Sequence, residues 1–497
     1  MINLPKGYLK FKSSDNYKTN VLPKVEVKYS TNKGNKLLKS IGEAFEKLNI
    51  SDGMTLSFHH HLRNGDYVLN FVLEEIKKRN LKNITLAASS IFPIHKPLSE
   101  LIKNKSITKI YTNYLNGEVA HTINAGYLDD LLIMDTHGGR SVAIESGLID
   151  IDVAFIATPT SDKEGNGHGR SGKSACGSLG YAIPDMLYAK HAVVVTDNLA
   201  HEVTDPEIKA EYIDYVVEVD AIGDQAKIVS GTTMITRDPI GLLIARNTTK
   251  LIDELGLLKD GFSMQTGAGG TSLAVAKYVK DLMVERNIKA SFASGGITSF
   301  FVEMIENGLT EKLYDVQCFD LDAVKSLGKN KNHEAISAFK YANPYHNPIV
   351  NELDFVILGA TEIDLNFNVN VTTGSNGIII GGSGGHADTA HGAKVSIIVS
   401  PLIKTRIPII KDRVTTITTP GEDVDIFVTD AGIAINPKRI DLIRKLENTK
   451  LKIKTIEELY NEALKITKVP KKLERTDEII GLVRYRDMSI IDCIYRK

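Results

Sequence analysis

Residues 377–394 have the sequence GIIIGGSGGHADTAHGAK, and this stretch indicates the fold class of the chain. Ile378, Ile379 and Ile380 are β-branched and apolar, which predicts a short buried strand. Four of the five residues 381–385 are glycine, so their backbone amides can approach a bulky or anionic ligand closely. Residues 395–399 predict the next strand. A flexible surface loop would also explain the glycines, but their place between two apolar strands favours a ligand loop of an α/β sheet.

Length and composition are typical of a globular protein of about three domains. The 497 residues are 42% hydrophobic and 24% charged, and the formal net charge is −1, which does not favour a nucleic-acid or basic membrane-surface binder. The three cysteines, Cys176, Cys318 and Cys493, are scattered along the chain, which argues against a disulfide framework. We find neither a signal-peptide pattern nor an apolar run of about 18 residues. We therefore expect a cytoplasmic location and no membrane association.

A pattern of strand, loop, helix and strand occurs twice in the same order. Its first copy lies in residues 52–90 and its second in residues 260–296, and both open on Asp-Gly. Further on, the apolar segment 151–157 is echoed by the segment 353–359. This alternation is typical of βαβ units with a mostly parallel sheet. The repetition predicts an α/β protein with two tandem, internally duplicated domains.

The domain boundary is predicted near Asp238-Pro239, before a helix. Residues 1–35 are polar and rich in lysine, and we interpret them as an extension that wraps the body or contacts a partner. The first domain is then 36–238 and the second 239–497, which includes a C-terminal helix and a terminal hairpin in residues 482–495.

The loop Gly267-Ala268-Gly269 follows the first strand of the second copy and opens its helix. Free amides and the positive end of a helix favour a phosphate, a carboxylate or a developing oxyanion at such a place. The spacing is not the GxGxxG dinucleotide pattern, and the Lys-Ser/Thr of a P-loop is absent. A tight turn without a ligand is the alternative.

The equivalent loop of the first copy contains His59, His60, His61 and Arg63. Three consecutive histidines cannot all point one way, so we expect no metal site. His60 and Arg63 are candidate contacts for a multiply charged carboxylate, Arg63 by bidentate pairing. Asp66 fits the cap of the helix that follows it.

Two further segments carry weaker signals. THGGR, residues 136–140, ends an apolar strand and is another possible anion contact. The segment 165–177 contains Gly172-Lys173-Ser174, but His168 stands where a phosphate loop needs glycine, so nucleotide hydrolysis is disfavoured. Cys176 needs a partner base to act as a nucleophile, and a packed thiol is the favoured interpretation.

With these motifs in view, the chain resembles the CoA-transferase superfamily and, within it, the alpha subunits of citrate lyase. The resemblance runs from about Lys36 to the C-terminus. It rests on DGMTLSFHHHLRNGD, THGGR, GKSACGSLGYA, SGGITSFFVEMIENG, GGSGGHADTAHGAK and VRYRD. It implies two tandem α/β domains of CoA-transferase type, in agreement with the duplication.

The resemblance also implies an activity: acetyl-S-carrier and citrate give citryl-S-carrier and acetate. The implied carrier is the gamma subunit, which bears a phosphoribosyl-dephospho-CoA arm, with free acetyl-CoA as a surrogate. The implied beta subunit cleaves the citryl thioester, within a homo- and hetero-oligomeric complex. No metal is expected on this chain and no nucleic acid as a partner.

Many members of the superfamily use a glutamate after the second strand of the second domain. Here residues 294–300 contain no carboxylate, and Glu306 is predicted to lie at the end of a helix that Gly308 terminates. We therefore expect direct attack of citrate on the acetyl thioester, through a mixed anhydride and without a covalent enzyme intermediate.

Roles follow for the candidate residues under this mechanism. Gly267, Ala268 and Gly269 would supply oxyanion amides, and His60 and Arg63 would contact citrate. The prosthetic arm would be held by a third set: Gly381, Gly382, Gly384, Gly385, His386 and Asp388.

Other functions stay open at this point. A CoA-transferase or thioester hydrolase that uses free acyl-CoA and a glutamyl intermediate is the nearest alternative. The equivalent subunit of citramalate lyase, or a mainly structural subunit of a lyase complex, are the others.

Overall fold

The structure is a computed structural model that describes residues 4–18, 22–229, 234–469 and 473–497. The strands of the first half are β1 (Leu37–Leu38), β2 (Thr55–Phe58), β3 (Ile84–Ala88), β4 (Ile107–Thr112), β5 (Leu132–Met134), β6 (Val153–Ala157), β7 (Thr160–Asp162), β8 (Gly167–His168), β9 (His191–Thr196), β10 (Leu199–Ala200) and β11 (Tyr215–Glu218). The helices of this half are α1 (Ile41–Lys47), α2 (Val68–Lys78), α3 (Leu98–Lys103), α4 (Glu118–Asn124), α5 (His137–Glu145) and α6 (Ala182–Tyr188).

The second half begins with a helix whose N-cap is Asp238, at the predicted boundary. Its strands are β12 (Phe262–Thr266), β13 (Ala290–Ile297), β14 (Thr310–Cys318), β15 (His333–Ala335), β16 (Phe355–Gly359), β17 (Glu362–Asp364), β18 (Val369–Asn370), β19 (Val395–Val399), β20 (Ile403–Lys404), β21 (Ile407–Pro408), β22 (Ile410–Lys411), β23 (Ile426–Val428), β24 (Ile433–Ile435), β25 (Ile479–Arg484) and β26 (Ile490–Tyr495). Its helices are α7 (Pro239–Glu254), α8 (Gly270–Arg286), α9 (Ser299–Glu306), α10 (Leu321–Leu327), α11 (Ala338–Ala342), α12 (His386–Gly392), α13 (Ile440–Leu446) and α14 (Ile456–Thr467).

The two large sheets have the same internal order, which confirms the duplicated α/β fold. The first contains the run β11-β9-β6-β2-β3-β4-β5, and the second contains β23-β19-β16-β12-β13-β14-β15. Neighbouring strands within both runs are parallel. Central strands such as β6 and β19 are buried along their whole length, as expected for parallel sheets covered by helices on both faces.

The terminal hairpin belongs to the first sheet, whereas the sequence placed it in the second domain. β25 pairs in parallel with β5, and β26 follows as the edge strand. Leu482 and Ile133 share a buried apolar cluster, and Arg484 pairs with buried Asp135. The hairpin covers what would otherwise be the open edge of β5, a pairing between distant segments that periodicity does not reveal.

The predicted strand at Ile378–Ile380 is also wrong. Only Ile379 forms an isolated bridge, to Thr373, and Ile380 is exposed. The amide of Ile379 donates to the Asn124 side chain at 2.9 Å, and that of Ile380 to the Thr372 carbonyl at 2.9 Å. These local and cross-domain bonds replace a sheet ladder, and α12 then precedes β19.

Residues 4–18 and 22–35 of the N-terminal extension lie along the body. The amide of Phe11 donates to the carbonyl of Ile490 at 2.9 Å, and Ser30 Oγ donates to Asp214 at 2.8 Å. The extension thus contacts the terminal hairpin and the first domain. Among the described residues, no helix combines the length and apolar character that crossing a membrane requires.

Candidate active site between the two halves

The two large sheets contact each other near the ends of non-equivalent strands, β2 of the first sheet and β14 of the second. The histidine segment after β2 lies against the end of β14, where Gln317 Nε2 donates to the His60 carbonyl at 3.0 Å. The guanidinium of Arg63 lies 4.8 Å from the ring centre of Phe319, the residue after β14. Strand ends of this kind are where α/β sheets bind ligands. The structure thus brings the histidine segment of the first copy against a strand end of the second half.

His60 is a buried, neutral hydrogen-bonding group. Its ring stacks on Tyr181 at 4.8 Å and on His137 at 5.5 Å, and its Nδ1 lies 2.6 Å from Ser89 Oγ. Burial, with lesser contributions from Arg63 and the neighbouring histidines, holds the pKa of His60 well below its usual value. Burial likewise lowers the pKa of His137 to about 3. This cluster therefore offers N–H donors and aromatic faces rather than positive charge.

The rings of the neighbouring histidines cluster with that of His60: the His61 ring stacks on it with ring centres 6.1 Å apart, and the His59 ring lies 4.5 Å from that of His61. The Nδ1 atoms of His59 and His61 contact each other, and burial lowers the pKa of His59 to about 4. Asp66 accepts from the amides of Val68 and Leu69 at 3.2 and 3.3 Å. Asp66 thus bonds the first turn of α2, in line with the predicted cap.

Arg63 is the charged residue of this segment. Its backbone has φ of 53°, a left-handed conformation that costs a non-glycine residue about 1 kcal/mol. Its guanidinium lies between the rings of Phe319 and Phe92, the latter at 5.5 Å. Such a conformation persists only where surrounding packing holds it, and here the packing comes from both halves of the chain.

The loop 267–269 divides into a structural residue and two available amides. The amide of Gly267 donates to the carbonyl of Ile357 at 2.7 Å and extends the ladder between β12 and β16. Gly269 is the N-cap of α8 and provides no side-chain cap. Within the described part of the chain, the amides of Ala268 and Gly269 form no hydrogen bond. As far as the described residues go, these two of the three candidate amides are therefore available to an oxyanion, and the amide of Gly267 is not.

The loop 381–385 is occupied by contacts between the two halves. A Cβ at Gly382 would lie 2.1 Å from the Asn113 carbonyl oxygen, and one at Gly385 would lie 2.4 Å from the Tyr341 hydroxyl. The amide of Gly384 donates to Asn113 O at 3.2 Å, and the amide of His137 donates to Gly384 O at 2.8 Å. Glycine is needed here for close packing of protein against protein, which is not the reason that the sequence suggested.

The two polar residues after this loop also have protein partners, His386 within the second half and Asp388 in the first half. His386 contacts Thr419 Oγ1 through Nδ1 at 2.8 Å and the Gly359 carbonyl through Nε2 at 2.9 Å. Asp388 accepts from Thr136 Oγ1 and from the Gly138 amide, both at 2.9 Å. The six residues predicted to hold the arm, Gly381, Gly382, Gly384, Gly385, His386 and Asp388, thus lie in an internal seam, and their contacts favour a structural role.

Three other sequence interpretations have clear outcomes. The guanidinium of Arg140 donates twice to buried Asp185, at 2.7 and 2.8 Å. Arg140 therefore forms a structural ion pair and is not available as an anion contact. Cys176 is buried, and burial raises the pKa of its thiol well above the usual value, which fits the packed thiol. Glu306 is exposed on α9, and Gly308 has φ of 68° after the helix end.

A buried polar chain that the sequence did not indicate lies beside the strand ends. Ser294 Oγ donates to Gln265 Oε1 at 3.0 Å, and Gln265 Nε2 donates to the Tyr341 hydroxyl at 2.8 Å. Gln265 also fills the space next to Gly295. No short motif marks these residues, since they come from three distant segments.

The family model for the alpha subunit of citrate lyase matches residues 34–497. The chain belongs to the citrate lyase alpha subunit family. It is 48% identical to the citrate lyase alpha chain of Haemophilus influenzae, over 96% of this chain and 95% of that one. It is 47% identical to that of Escherichia coli, over 93% and 91% of the two chains.

A solved structure of the same family has the same fold. It is described as the alpha subunit of citrate lyase from Streptococcus mutans in complex with citrate, with a TM-score of 0.94, 45% identity and coverage of 99% and 98% of the two chains. The alpha subunit of malonate decarboxylase from Acinetobacter baumannii has a TM-score of 0.65 at 16% identity, over 88% and 86% of the two chains. The second likeness shows a shared fold only.

Proposed function

We propose that this chain exchanges acetyl for citryl on a thioester arm, so that acetyl-S-carrier and citrate give citryl-S-carrier and acetate. The observation that carries the proposal is the contact between the strand ends of the two halves. Arg63 and the histidine segment lie against the end of β14, and the amides of Ala268 and Gly269 follow β12 in the same sheet. The family and the citrate complex of the Streptococcus mutans relative support citrate as the acceptor.

The reaction that we propose has two acyl transfers. A citrate carboxylate oxygen attacks the acetyl carbonyl, the C–S bond breaks, and the thiolate leaves a mixed citric–acetic anhydride. The thiolate then attacks the citryl carbonyl of this anhydride, and acetate departs. Neither step requires an enzyme nucleophile, in keeping with the lack of a carboxylate in residues 294–300 and with the exposure of Glu306.

The protein contributes orientation and stabilisation of charge. Each tetrahedral oxyanion needs donors at about 2.7–3.1 Å, and we assign this role to the amides of Ala268 and Gly269. Arg63 would pair with a citrate carboxylate, and His60 would supply a neutral N–H. Holding the carboxylate against the thioester supplies the remaining acceleration.

The proposal includes partners and a cellular place. The arm is a phosphoribosyl-dephospho-CoA group on a gamma carrier subunit, and a beta subunit cleaves the citryl thioester. We propose that the chain works in a homo- and hetero-oligomeric complex in the cytoplasm.

The test is acetate release from acetyl-dephospho-CoA by the purified chain, with citrate or citramalate added separately. We expect release with citrate together with a citryl thioester product. Release only with citramalate would change the substrate and keep the mechanism. Release with neither would contradict the proposal.

A second measurement addresses the covalent alternative. Incubation with acetyl-dephospho-CoA and hydroxylamine should leave the mass of the chain unchanged. A stoichiometric hydroxamate on a glutamate would favour a glutamyl intermediate and a CoA-transferase or hydrolase that uses free acyl-CoA.

A further inference from the structure

A large cleft opens beside the free amides of the 267–269 loop. We call it the inner cleft; it has a volume of about 1060 Å³, and its lining includes Arg237, Gly270, Leu273, Thr298, Phe300 and Asp320. Ligand sites typically have volumes of about 300–1,000 Å³. Gly270 follows Gly269 directly and Asp320 follows Phe319, so the inner cleft lies next to the two free amides and next to the residue that Arg63 contacts.

Thr298 provides evidence that this cleft is made for a polar ligand. Its side chain is 3% exposed, and its hydroxyl has no hydrogen-bond partner among the described residues. Although Thr298 is the N-cap of α9, it makes no side-chain cap bond. A buried hydroxyl without a partner costs about 1–3 kcal/mol, and a ligand in the cleft would remove that cost.

A second cavity adjoins the first. We call it the outer cleft; its volume is about 600 Å³, and it shares Ser299, Glu303 and Asp322 with the inner cleft. Ser299 therefore stands at the passage between the two spaces.

The two clefts differ in which of their charged side chains already have a partner in the protein. In the inner cleft, Asp320 accepts from the amides of Ser299 and Ala323 at 2.5 and 2.9 Å, and Glu303 pairs with Lys280 at 2.7 Å. Asp320, Glu303 and Asp322 outnumber Arg237 there, so a phosphate would meet net negative charge. A neutral amide chain would not.

The outer cleft is lined by three lysines and three carboxylates, so its lining has no excess of negative charge. Lys325 pairs with Asp322 at 3.3 Å, and Glu306 is the other carboxylate beside Glu303. Lys329 and Lys331 are exposed and form no ion pair with any residue that the structure describes. These two lysines are therefore available to a phosphorylated group.

We propose that the two clefts hold the thioester arm in one orientation, with the neutral pantetheine chain in the inner cleft and the pyrophosphate at Lys329 and Lys331. This inference rests on the proposed function, which places the thioester at Ala268 and Gly269. The carrier protein then approaches from the side of α10 and the residues that follow it. The arm enters past Ser299, and Thr298 bonds one of its amides.

The experiment uses two probes and compares binding by isothermal titration calorimetry. Pantetheine contains only the neutral part of the arm, and dephospho-CoA adds the pyrophosphate. Ser299→Trp should weaken the binding of both probes about tenfold or more, because the larger side chain narrows the passage between the two clefts. A tenfold loss of affinity corresponds to a modest loss of contacts. Ser51→Trp, an exposed serine of the first half, is the matched control and should change neither.

The lysines test the orientation of the arm. Replacing Lys329 and Lys331 together by alanine should weaken the binding of dephospho-CoA about fivefold to tenfold at low salt. The binding of pantetheine should not change. The control replaces Lys77 and Lys78, exposed residues of α2, and should have no effect. Equal weakening of both probes, or of neither, would overturn the proposed orientation.

Thr298→Val keeps the shape of the side chain and removes the buried hydroxyl. We expect the variant to be at least as stable as the parent chain and to bind pantetheine about threefold to tenfold more weakly. A merely structural Thr298 would show no change in binding. Unchanged binding of both probes in Ser299→Trp and Thr298→Val would overturn the site.

Failure of this inference and failure of the proposed function give different results. If the chain exchanges acetyl for citryl while both cleft variants bind as the parent does, the arm lies elsewhere and the function stands. If the probes bind and the variants weaken them, but no acetate is released with either acceptor, the arm site stands and the function is wrong.

Discussion

Two glycine-rich loops of this chain look alike in sequence and do different things in the fold. A Cβ at Gly269 would meet its nearest neighbour at 3.6 Å, whereas one at Gly382 would lie 2.1 Å from a carbonyl oxygen. The 267–269 loop borders a cleft, and the 381–385 loop is pressed against the first sheet. Glycine therefore marks close approach of a backbone, and only the fold shows whether the approaching group is a ligand or the protein itself.

The largest expected effect comes from Gly382→Ala. The added methyl group meets the Asn113 carbonyl, and overpacking of a rigid backbone contact should cost about 3 kcal/mol of the free energy of unfolding or more. Urea denaturation of the variant measures this loss. Gly359→Ala, where a Cβ has open space, is the control. A Gly382→Ala variant as stable as the control would remove the contrast between the two loops.

Gly269→Ala should have the opposite profile. The space around Gly269 admits a Cβ, and an N-cap glycine costs little to replace, about 1 kcal/mol at most. The methyl group nevertheless stands beside the proposed oxyanion amides, where a small displacement lowers kcat about tenfold or more. Acetate release at saturating citrate, together with thermal unfolding, separates the two effects. Normal exchange by a stable variant would move the oxyanion site away from this loop.

The seam at the second loop should also show two opposing responses to pH. Burial lowers the pKa of His386 to about 4, so the unfolded chain binds the extra proton and stability falls as the pH falls from about 6.5 to 4. Burial raises the pKa of Asp388 to about 6, although Arg486, Gly138 and Thr136 oppose the shift. The folded chain therefore binds that proton first, and stability rises as the pH falls from about 6 to 4.

Single substitutions should expose each half of this compensation. Between pH 7 and pH 5, His386→Gln should lose a destabilising contribution of about 2 kcal/mol, and Asp388→Asn a stabilising one of about 1 kcal/mol. From pH 7 to pH 5, the free energy of unfolding should therefore fall less in His386→Gln than in the parent chain, and fall more in Asp388→Asn. Urea denaturation at the two pH values measures both, and shifts of the same sign would contradict this account of the seam.

The smallest effect is expected at Glu306. Because its side chain is exposed on α9, Glu306→Gln should change kcat and stability by less than about twofold and 0.5 kcal/mol. Acetate release and thermal unfolding are the measurements. A loss of activity of several orders of magnitude in a stable variant would restore the covalent alternative.

Part of the site was predictable because the sequence patterns that mark it are short and continuous in the chain. Histidines, Arg63 and the 267–269 glycines follow strands that their periodicity marks, and strand ends of one sheet lie together. The sequence could not show that Gly267 uses its amide in the ladder to Ile357. Nor could it show that His386 and Asp388 form hydrogen bonds with residues that lie far away in the chain or in the other half.

The sequence alone determined the repeated α/β architecture and the family, because these depend on short-range periodicity and on local motifs. The tertiary structure decided which edge the C-terminal hairpin completes and which glycine loop remains open. It also decided which ionisable groups are buried, as for neutral His60. Those outcomes depend on contacts between residues hundreds of positions apart, and no local pattern records such contacts.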